Sequence, residues 1–225
     1  MLRILFTRLK QGCRTIPFPK GKSPVLPARY RGRPIIASQG RVVDAGAITF
    51  VPDCDIQYSR DFRMAVSRKE DLILSCDQYA LAQRLKDHIR GIFGRSLKLR
   101  QISAGGCNAC EADINVLNTP VFDLSRFGIQ FVASPRHADG IVVTGPVPRN
   151  MKDALIKTYE AIPEPKIVIA VGACAISGGI FVDGPECSKG LDALIPVDLY
   201  IPGCPPHPLT ILDGFLRLMG RIEKG

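Results

Sequence analysis

The sequence predicts an α/β fold: a parallel sheet with helices on both faces, preceded by an irregular, basic N-terminal extension. From residue 97 onward, short apolar runs alternate with segments of helical periodicity, as in successive β-α units. The run at residues 166–171 is almost entirely aliphatic, as expected for a strand covered on both faces. Positive charge is concentrated earlier, since residues 1–100 contain 20 Lys and Arg but only 8 Asp and Glu. We therefore divide the chain into the extension, residues 1–95, and a sheet domain, residues 96–225.

The extension starts with a predicted amphipathic helix at residues 1–11. Leu2, Leu5, Phe6 and Leu9 recur at the spacing of one helical face, and basic residues lie off that face. Such a helix suits peripheral contact with a membrane surface, docking on another protein, or an organelle transit peptide.

The rest of the extension is less regular. Residues 15–43 are rich in Pro, Arg and Gly and predict an extended arm that wraps a partner. Residues 47–51 and 71–74 resemble short strands, and residues 76–93 have helical periodicity. Ten Lys and Arg but no acidic residue precede Asp44, so the region suits an anionic lipid surface, an acidic partner or nucleic acid.

The sheet domain is predicted from the alternation of its segments. The expected strands are residues 97–103, 129–132, 140–144, 166–171 and 197–201, and the expected helices are residues 111–118, 150–162 and 207–222. These elements fit a flavodoxin-like sheet, in which ligands bind beyond the carboxyl ends of the strands.

Four cysteines follow predicted strands. Cys107 and Cys110 form a Cys-x-x-Cys turn after the first strand, Cys174 follows the fourth and Cys204 the fifth, each with glycine nearby. Because the carboxyl ends of parallel strands share one edge of the sheet, we expect the four thiolates to converge from three loops. Four thiolates are the ligand set of a cubane [4Fe–4S] cluster.

Other interpretations of the cysteines stay open from the residues alone. The Cys-x-x-Cys pair also suits a redox dithiol or half of a zinc site, although zinc sites usually have a second such pair. Cys174 alone could be an inert buried thiol. A flavin or nucleotide loop is disfavoured because the G-x-G-x-x-G spacing is absent. Cys13, Cys54, Cys76 and Cys187 are left outside the predicted site.

Length and composition argue against several classes of protein. A chain of 225 residues is much larger than the small secreted scaffolds that eight cysteines would otherwise suggest. Its apolar runs are shorter than the roughly 18 residues of a membrane-spanning helix, and no secretory signal is evident. No motif combines aromatic and basic residues for nucleic-acid recognition, so we predict no nucleic-acid partner.

Five ordered motifs resemble a known family. They are GGCNACE at residues 105–111, SPRHAD at 134–139, VTGPV at 143–147, GACAISGG at 172–179 and PGCPP at 202–206. The series is similar to the small, electron-transferring subunit of group 4 membrane-bound [NiFe] hydrogenases, which is homologous to the 20-kDa-type iron–sulfur subunit of respiratory complex I. The resemblance covers residues 99–222.

The resemblance implies a site. Cys107, Cys110, Cys174 and Cys204 would ligate one proximal [4Fe–4S] cluster, and Glu111 would lie near that cluster and the large-subunit interface. Each of these residues occupies the position in this sequence that matches a ligand or cluster-proximal residue in the family's motifs.

Two further residues come from the resemblance alone. Arg136 and His137 fall in a family motif close to the cluster. With Glu111 they are expected to tune its potential or couple it to protons. The alternative is an interface salt bridge or a helix-capping role.

The resemblance also implies a function. The chain would be an oxidoreductase subunit that passes single electrons between the nickel site of a large partner subunit and a redox partner. Expected partners are that large subunit and the ferredoxin-like and membrane subunits of the same complex. The expected location is cytoplasmic, peripheral on the inner face of the cell membrane.

Two details favour the hydrogenase branch over the alternative, a complex I-like or nickel-free hydrogenase-related subunit that passes electrons to quinone or another acceptor. Complex I relatives usually have adjacent cysteines at the first site and Pro-Arg-Gln in place of the Pro-Arg-His that includes His137.

The long N-terminal region departs from the family. YRGRP at residues 30–34 and AVSRKEDL at 65–72 resemble the ends of the two-cluster ferredoxin-like subunit, without its cysteine runs. We therefore interpret the extension as a degenerate ferredoxin-like scaffold.

Overall fold

A computed structural model of the chain describes residues 2–21, 24–36, 43–44, 56–74, 81–82 and 96–222. Its helices are α1 Leu2–Gln11, α2 Ala109–Val116, α3 Arg149–Glu160, α4 Ala173–Ser177 and α5 Pro208–Leu218. Its strands are β1 Pro34–Ile36, β2 Val43–Asp44, β3 Ile56–Tyr58, β4 Ile73–Leu74, β5 Leu97–Ser103, β6 Ile129–Phe131, β7 Gly140–Thr144, β8 Ile167–Val171 and β9 Leu199–Ile201.

Strands β5 to β9 form a five-stranded sheet in the order β6-β5-β7-β8-β9. Every neighbouring pair in it is parallel. This is the flavodoxin-like strand order, so the predicted α/β fold is confirmed.

Helices cover both faces of the sheet. On one face α2 and α5 pack on alternate strand residues, and on the other α3 and α4 do so. The first core includes Leu97, Leu99, Ile114, Ile169, Ile211 and Phe215, and the second includes Ile141, Val143, Leu155, Val168 and Ile176. Both β7 and β8 are buried along their whole length, which explains their continuous apolar runs.

The predicted element boundaries are accurate to within a few residues. Strands β5 and β7 have the predicted ends, whereas α2 begins two residues earlier than predicted and thereby includes Cys110 in its first turn. Helix α5 ends at Leu218, before the predicted residue 222. Gly220 follows with a φ of 65°, and the Arg221 N–H donates to the Leu216 carbonyl, which closes the helix by a C-terminal capping turn.

Part of the extension packs on the sheet domain. Val66 exchanges backbone hydrogen bonds of 3.0 and 2.9 Å with Tyr200 of the edge strand β9, and Val66 is fully buried. Leu26, in the predicted arm, packs with Phe62 against Leu209 of α5. The arm was expected to wrap a partner, but this part of it contacts its own chain.

The remaining predictions for the extension have mixed outcomes. Residues 71–74 form the end of a 3₁₀ turn followed by the two-residue strand β4, which pairs with β2. The predicted strand at 47–51 and nearly all of the predicted helix at 76–93 lie outside the described residues. The division at residues 95 and 96 stays a prediction. Within the described ranges, no helix has the length and apolar character needed to cross a membrane.

Candidate metal centre

The carboxyl ends of the central strands form one level edge of the sheet. In the register of the parallel sheet, Ser103 lies opposite Thr144, Thr144 opposite Val171, and Val171 opposite Ile201. These residues end β5, β7, β8 and β9, and the loops that carry the predicted cysteines leave from here.

The three cysteine-bearing loops are in contact with one another. The Gly172 N–H donates to the Ile201 carbonyl at 2.9 Å, and the Ala173 N–H donates to the Gly203 carbonyl at 2.8 Å. The Sγ of Cys110 lies against Gly172, because a Cβ placed on Gly172 would be only 2.5 Å from that sulfur. Gly172 also has a φ of 90°, which side chains rarely adopt. Glycine is therefore required here by both the backbone and the neighbouring sulfur.

The four thiols lie within electrostatic range of each other. Burial raises the pKa of Cys110 well above its ordinary value, and the charges of Glu111, Cys204, Cys174 and Cys107 raise it further. Burial, followed by the charges of Cys204 and Cys107, raises the pKa of Cys174 to about 11. Burial and the Cys107 charge also raise the pKa of Cys204. The protein alone thus disfavours the thiolates of Cys110, Cys174 and Cys204, and bound metal ions would supply the compensating positive charge.

Glu111 is a buried carboxylate beside this edge. Its Oε1 accepts hydrogen bonds from Ser103 Oγ and Thr144 Oγ1, each at 2.6 Å, and its residue is only 4% exposed. Burial raises its pKa, but these two hydrogen bonds outweigh that effect, so the pKa of Glu111 is lowered overall. The carboxylate therefore stays ionised and links the first turn of α2 to the ends of β5 and β7.

Arg136 and His137 are not joined to this group. They lie in the 3₁₀ turn Pro135–His137 between β6 and β7, and both are exposed. Among the described residues, neither side chain makes a hydrogen bond or ion pair. Their relation to the cysteines stays a prediction from the resemblance.

The other cysteines are separated from the site to different degrees. Cys13 is exposed beside α1, whereas Cys187 is half-buried and near enough for its charge to raise the pKa of Cys174. Cys54 and Cys76 lie outside the described residues. No cysteine of the described ranges is in a disulfide.

The donor set fits an iron–sulfur cluster. A cubane binds each of four thiolates to a different iron, and three touching loops here carry four thiols that lie within electrostatic range of one another. A Cβ placed on Gly179 would be 2.9 Å from the Cys174 sulfur, so glycine backbone closely borders a second thiol. In the part of the chain that the structure describes, no three His, Cys, Asp or Glu residues are placed to hold a single metal ion.

Sequence reasoning missed four residues around this site. Ser103 and Thr144 donate hydrogen bonds to Glu111. The one sequence feature that could have indicated them is a polar side chain at the end of each strand. His207 caps α5, because its Nδ1 accepts from the Leu209 N–H at 3.1 Å. Tyr30 meets the His207 ring edge-on, with ring centroids 5.3 Å apart. The arm thus covers part of the loop that carries Cys204.

The part of the chain that carries these cysteines is similar in sequence to known proteins. The profile of a family described as "NADH ubiquinone oxidoreductase, 20 Kd subunit" matches residues 107–218, a region that includes all four cysteines. The chain is 44% identical over 131 residues to the probable membrane-bound hydrogenase subunit mbhJ of Pyrococcus furiosus, covering 58% of this chain and 78% of that protein. It is 46% identical over 130 residues to formate hydrogenlyase subunit 7 of Escherichia coli, covering 58% of this chain and 51% of that protein.

A solved structure is also similar. A chain of the membrane-bound sulfane sulfur reductase, an archaeal respiratory membrane complex, superposes with a TM-score of 0.53 at 39% identity. The superposition covers 63% of this chain and 78% of the other.

Proposed function

Because the chain belongs to the family of the complex I 20-kDa subunit and the hydrogenase small subunits, we propose that it is the electron-transfer small subunit of a membrane-associated [NiFe]-hydrogenase-type complex. Membership makes it an oxidoreductase subunit of an iron–sulfur family. Relatives in this family are subunits of membrane-bound hydrogenase and NADH-quinone oxidoreductase assemblies.

The proposed ligands are Cys107, Cys110, Cys174 and Cys204, each to one iron of a single [4Fe–4S] cluster. The observation that supports this proposal is that three touching loops bring the four thiols within electrostatic range of one another at one edge of the sheet. When bound, such a cluster accepts and releases one electron at a time.

Glu111 would act by position and by charge. Its bonds to Ser103 and Thr144 hold the first turn of α2, and hence Cys110, against the strand ends. Its negative charge near the sulfurs would disfavour an added electron and so lower the reduction potential. Arg136 and His137 are exposed, which suits residues that face a partner subunit, and their proposed effect on the cluster rests on the resemblance alone.

The catalytic nickel would belong to a large partner subunit, since the proposed metal ligands of this chain are all used by the cluster. The other proposed partners are ferredoxin-like and membrane subunits of the same complex. We place the chain on the cytoplasmic face of the cell membrane as a peripheral subunit, in keeping with relatives from membrane-bound assemblies.

Hydrogen-dependent reduction tests this function. The intact complex, purified anaerobically, is exposed to hydrogen and examined by electron paramagnetic resonance. The proposal predicts a reduced one-electron [4Fe–4S] signal that disappears when the protein partner or dye acceptor is added. If hydrogen leaves the cluster oxidised while a quinol reduces it, the complex I-like alternative replaces the hydrogenase assignment.

A further inference from the structure

Helix α1 presents an apolar stripe that nothing in the described chain covers. Leu2, Leu5, Phe6 and Leu9 are 75%, 63%, 66% and 73% exposed, and α1 has no buried residue. At about 100° per residue these four side chains occupy roughly 100° of the helix circumference. The stripe is therefore narrow, continuous and available for contact.

The stripe faces away from the body of the protein. A different set of helix residues borders the open cleft between α1 and Pro120: Arg3, Ile4, Thr7, Arg8 and Gln11. None of the stripe residues lines this cleft. The opposite, mainly polar side of the helix is thus the side turned toward the protein.

The chain just after α1 is fixed to the sheet domain. The Ile16 N–H donates to the Val121 carbonyl at 2.9 Å, and Thr15 Oγ1 donates to the Pro120 carbonyl at 2.8 Å. Arg126 Nη2 donates to the Ile16 carbonyl at 2.9 Å. The helix is therefore attached near the domain and not at the end of a long tether.

The charges beside the stripe select its partner. Lys10 lies next to one border of the stripe, and Arg3 and Arg8, which also border the cleft, flank the stripe on its two sides. No acid occurs in the sequence before Asp44. Long basic side chains can extend from an inserted helix to anionic headgroups while their stems stay in apolar surroundings. Cations that flank a narrow stripe on both sides and reach past it match a flat anionic surface.

We propose that α1 lies in the plane of an anionic lipid bilayer, with Leu2, Leu5, Phe6 and Leu9 inserted between the headgroups. Lipid binding itself does not require the cluster. Its consequence, that the cluster is held close to the membrane face, rests on the function proposed above.

Vesicle binding of the full chain tests this proposal. Sedimentation is compared for vesicles of phosphatidylcholine alone and vesicles with roughly a third phosphatidylglycerol, at about 0.15 M salt. We expect binding to the anionic vesicles only. The double substitution Leu5→Gln and Phe6→Gln should weaken it at least about tenfold. Arg8→Gln and Lys10→Gln should weaken it about fivefold each.

The matched control is Ile4→Gln, which removes an equally exposed aliphatic side chain, 74% exposed, from the opposite side of α1. It should change binding by less than about twofold, because a helix lying in the interface inserts only one face. Equal losses for Ile4→Gln and the stripe variant would overturn the proposal, as would a wild-type chain that ignores anionic vesicles. Release of partner subunits by the stripe variant, with vesicle binding unchanged, would make the stripe a protein-docking face.

Iron and sulfide are measured on the same samples. A wild-type chain that contains the cluster but does not bind vesicles would refute the membrane role of α1 and would not affect the proposed electron-transfer function. A chain that binds vesicles but contains no iron would support the membrane contact of α1 and would refute the proposed iron–sulfur cluster.

Discussion

Replacing Gly172 with Ala tests the packing of the site at a single atom. The added Cβ would lie 2.5 Å from Cys110 Sγ, whereas nonbonded heavy atoms are comfortable at about 3.5 Å, so the sulfur must move by about 1 Å. Metal–sulfur distances tolerate only about 0.2 Å. The displacement is several times larger, so Cys110 should no longer ligate the cluster normally.

The backbone cost of this substitution can be separated from its effect on the sulfur. Gly172 has a φ of 90° and a ψ of 156°, a region that essentially only glycine adopts, so a side chain there costs about 1–3 kcal/mol of unfolding free energy. Gly178, at the other end of α4, also has a positive φ, 87°, but its ψ of −15° places it in the left-handed αL region, where a side chain costs about 1–2 kcal/mol. A Cβ there would meet Val182 and Ser188 at 3.1–3.4 Å and no sulfur, so Gly178→Ala is the control for a strained backbone at α4.

Both variants should lose stability in chemical denaturation, Gly172→Ala at least as much as Gly178→Ala, whereas only Gly172→Ala should lose iron and sulfide or change the paramagnetic spectrum. The assay is metal and sulfide content per chain together with the spectrum of the reduced protein. A Gly172→Ala protein with full cluster content and an unchanged spectrum would refute the placement of Cys110 against Gly172 as a ligand. Equal cluster loss in Gly178→Ala would show that general destabilisation is responsible.

Three further substitutions test other parts of the structure. Cys174→Ala should abolish the cluster and most activity while Cys187→Ala keeps both, measured by iron content and hydrogen turnover; an active, cluster-replete Cys174→Ala protein would contradict the ligand assignment. Glu111→Gln should cost about 1.5–3 kcal/mol, because a carboxylate loses charge-assisted hydrogen bonds. Because the folded-state pKa of Glu111 is lowered, the stability lost in Glu111→Gln should be largest above about pH 5 and should shrink as the pH falls through that pKa. Chemical denaturation over a pH series measures this change. A loss of stability that does not depend on pH would contradict it. Within α5, Arg217 Nε and Asp213 Oδ2 form a buried ion pair at 2.7 Å. Arg217→Met should cost about 3–5 kcal/mol of unfolding free energy by leaving Asp213 unpaired, and replacing Asp213 by Leu as well should recover most of that cost; no recovery would contradict the ion-pair explanation.

The sheet could be predicted because its signals are local. Strand β7 is an apolar run that begins at Gly140, and Gly172 directly follows β8, so hydrophobic periodicity and glycine mark the strands well. Alternation with helices then leaves few arrangements for a parallel sheet. The convergence of the cysteines follows from the same reasoning, because each follows the carboxyl end of a strand.

Contacts between distant segments could not be predicted in this way. Val66 pairs with Tyr200 by one isolated bridge, which leaves no periodic pattern in the sequence. Leu26 is an isolated apolar residue in a Pro- and Arg-rich stretch, and its burial depends on the tertiary position of Leu209. The hydrogen bond from Thr144 to Glu111 likewise depends on register between elements far apart in the chain.

The most direct test of the central claim is the iron, acid-labile sulfide and nickel content of the chain purified anaerobically with its native partners. The account predicts about four irons and four sulfides in this chain, with nickel in the large partner subunit. The same iron and sulfide without nickel in the partner would move the function to the complex I-like alternative. Zinc in place of iron would contradict the cluster and the electron-transfer role built on it.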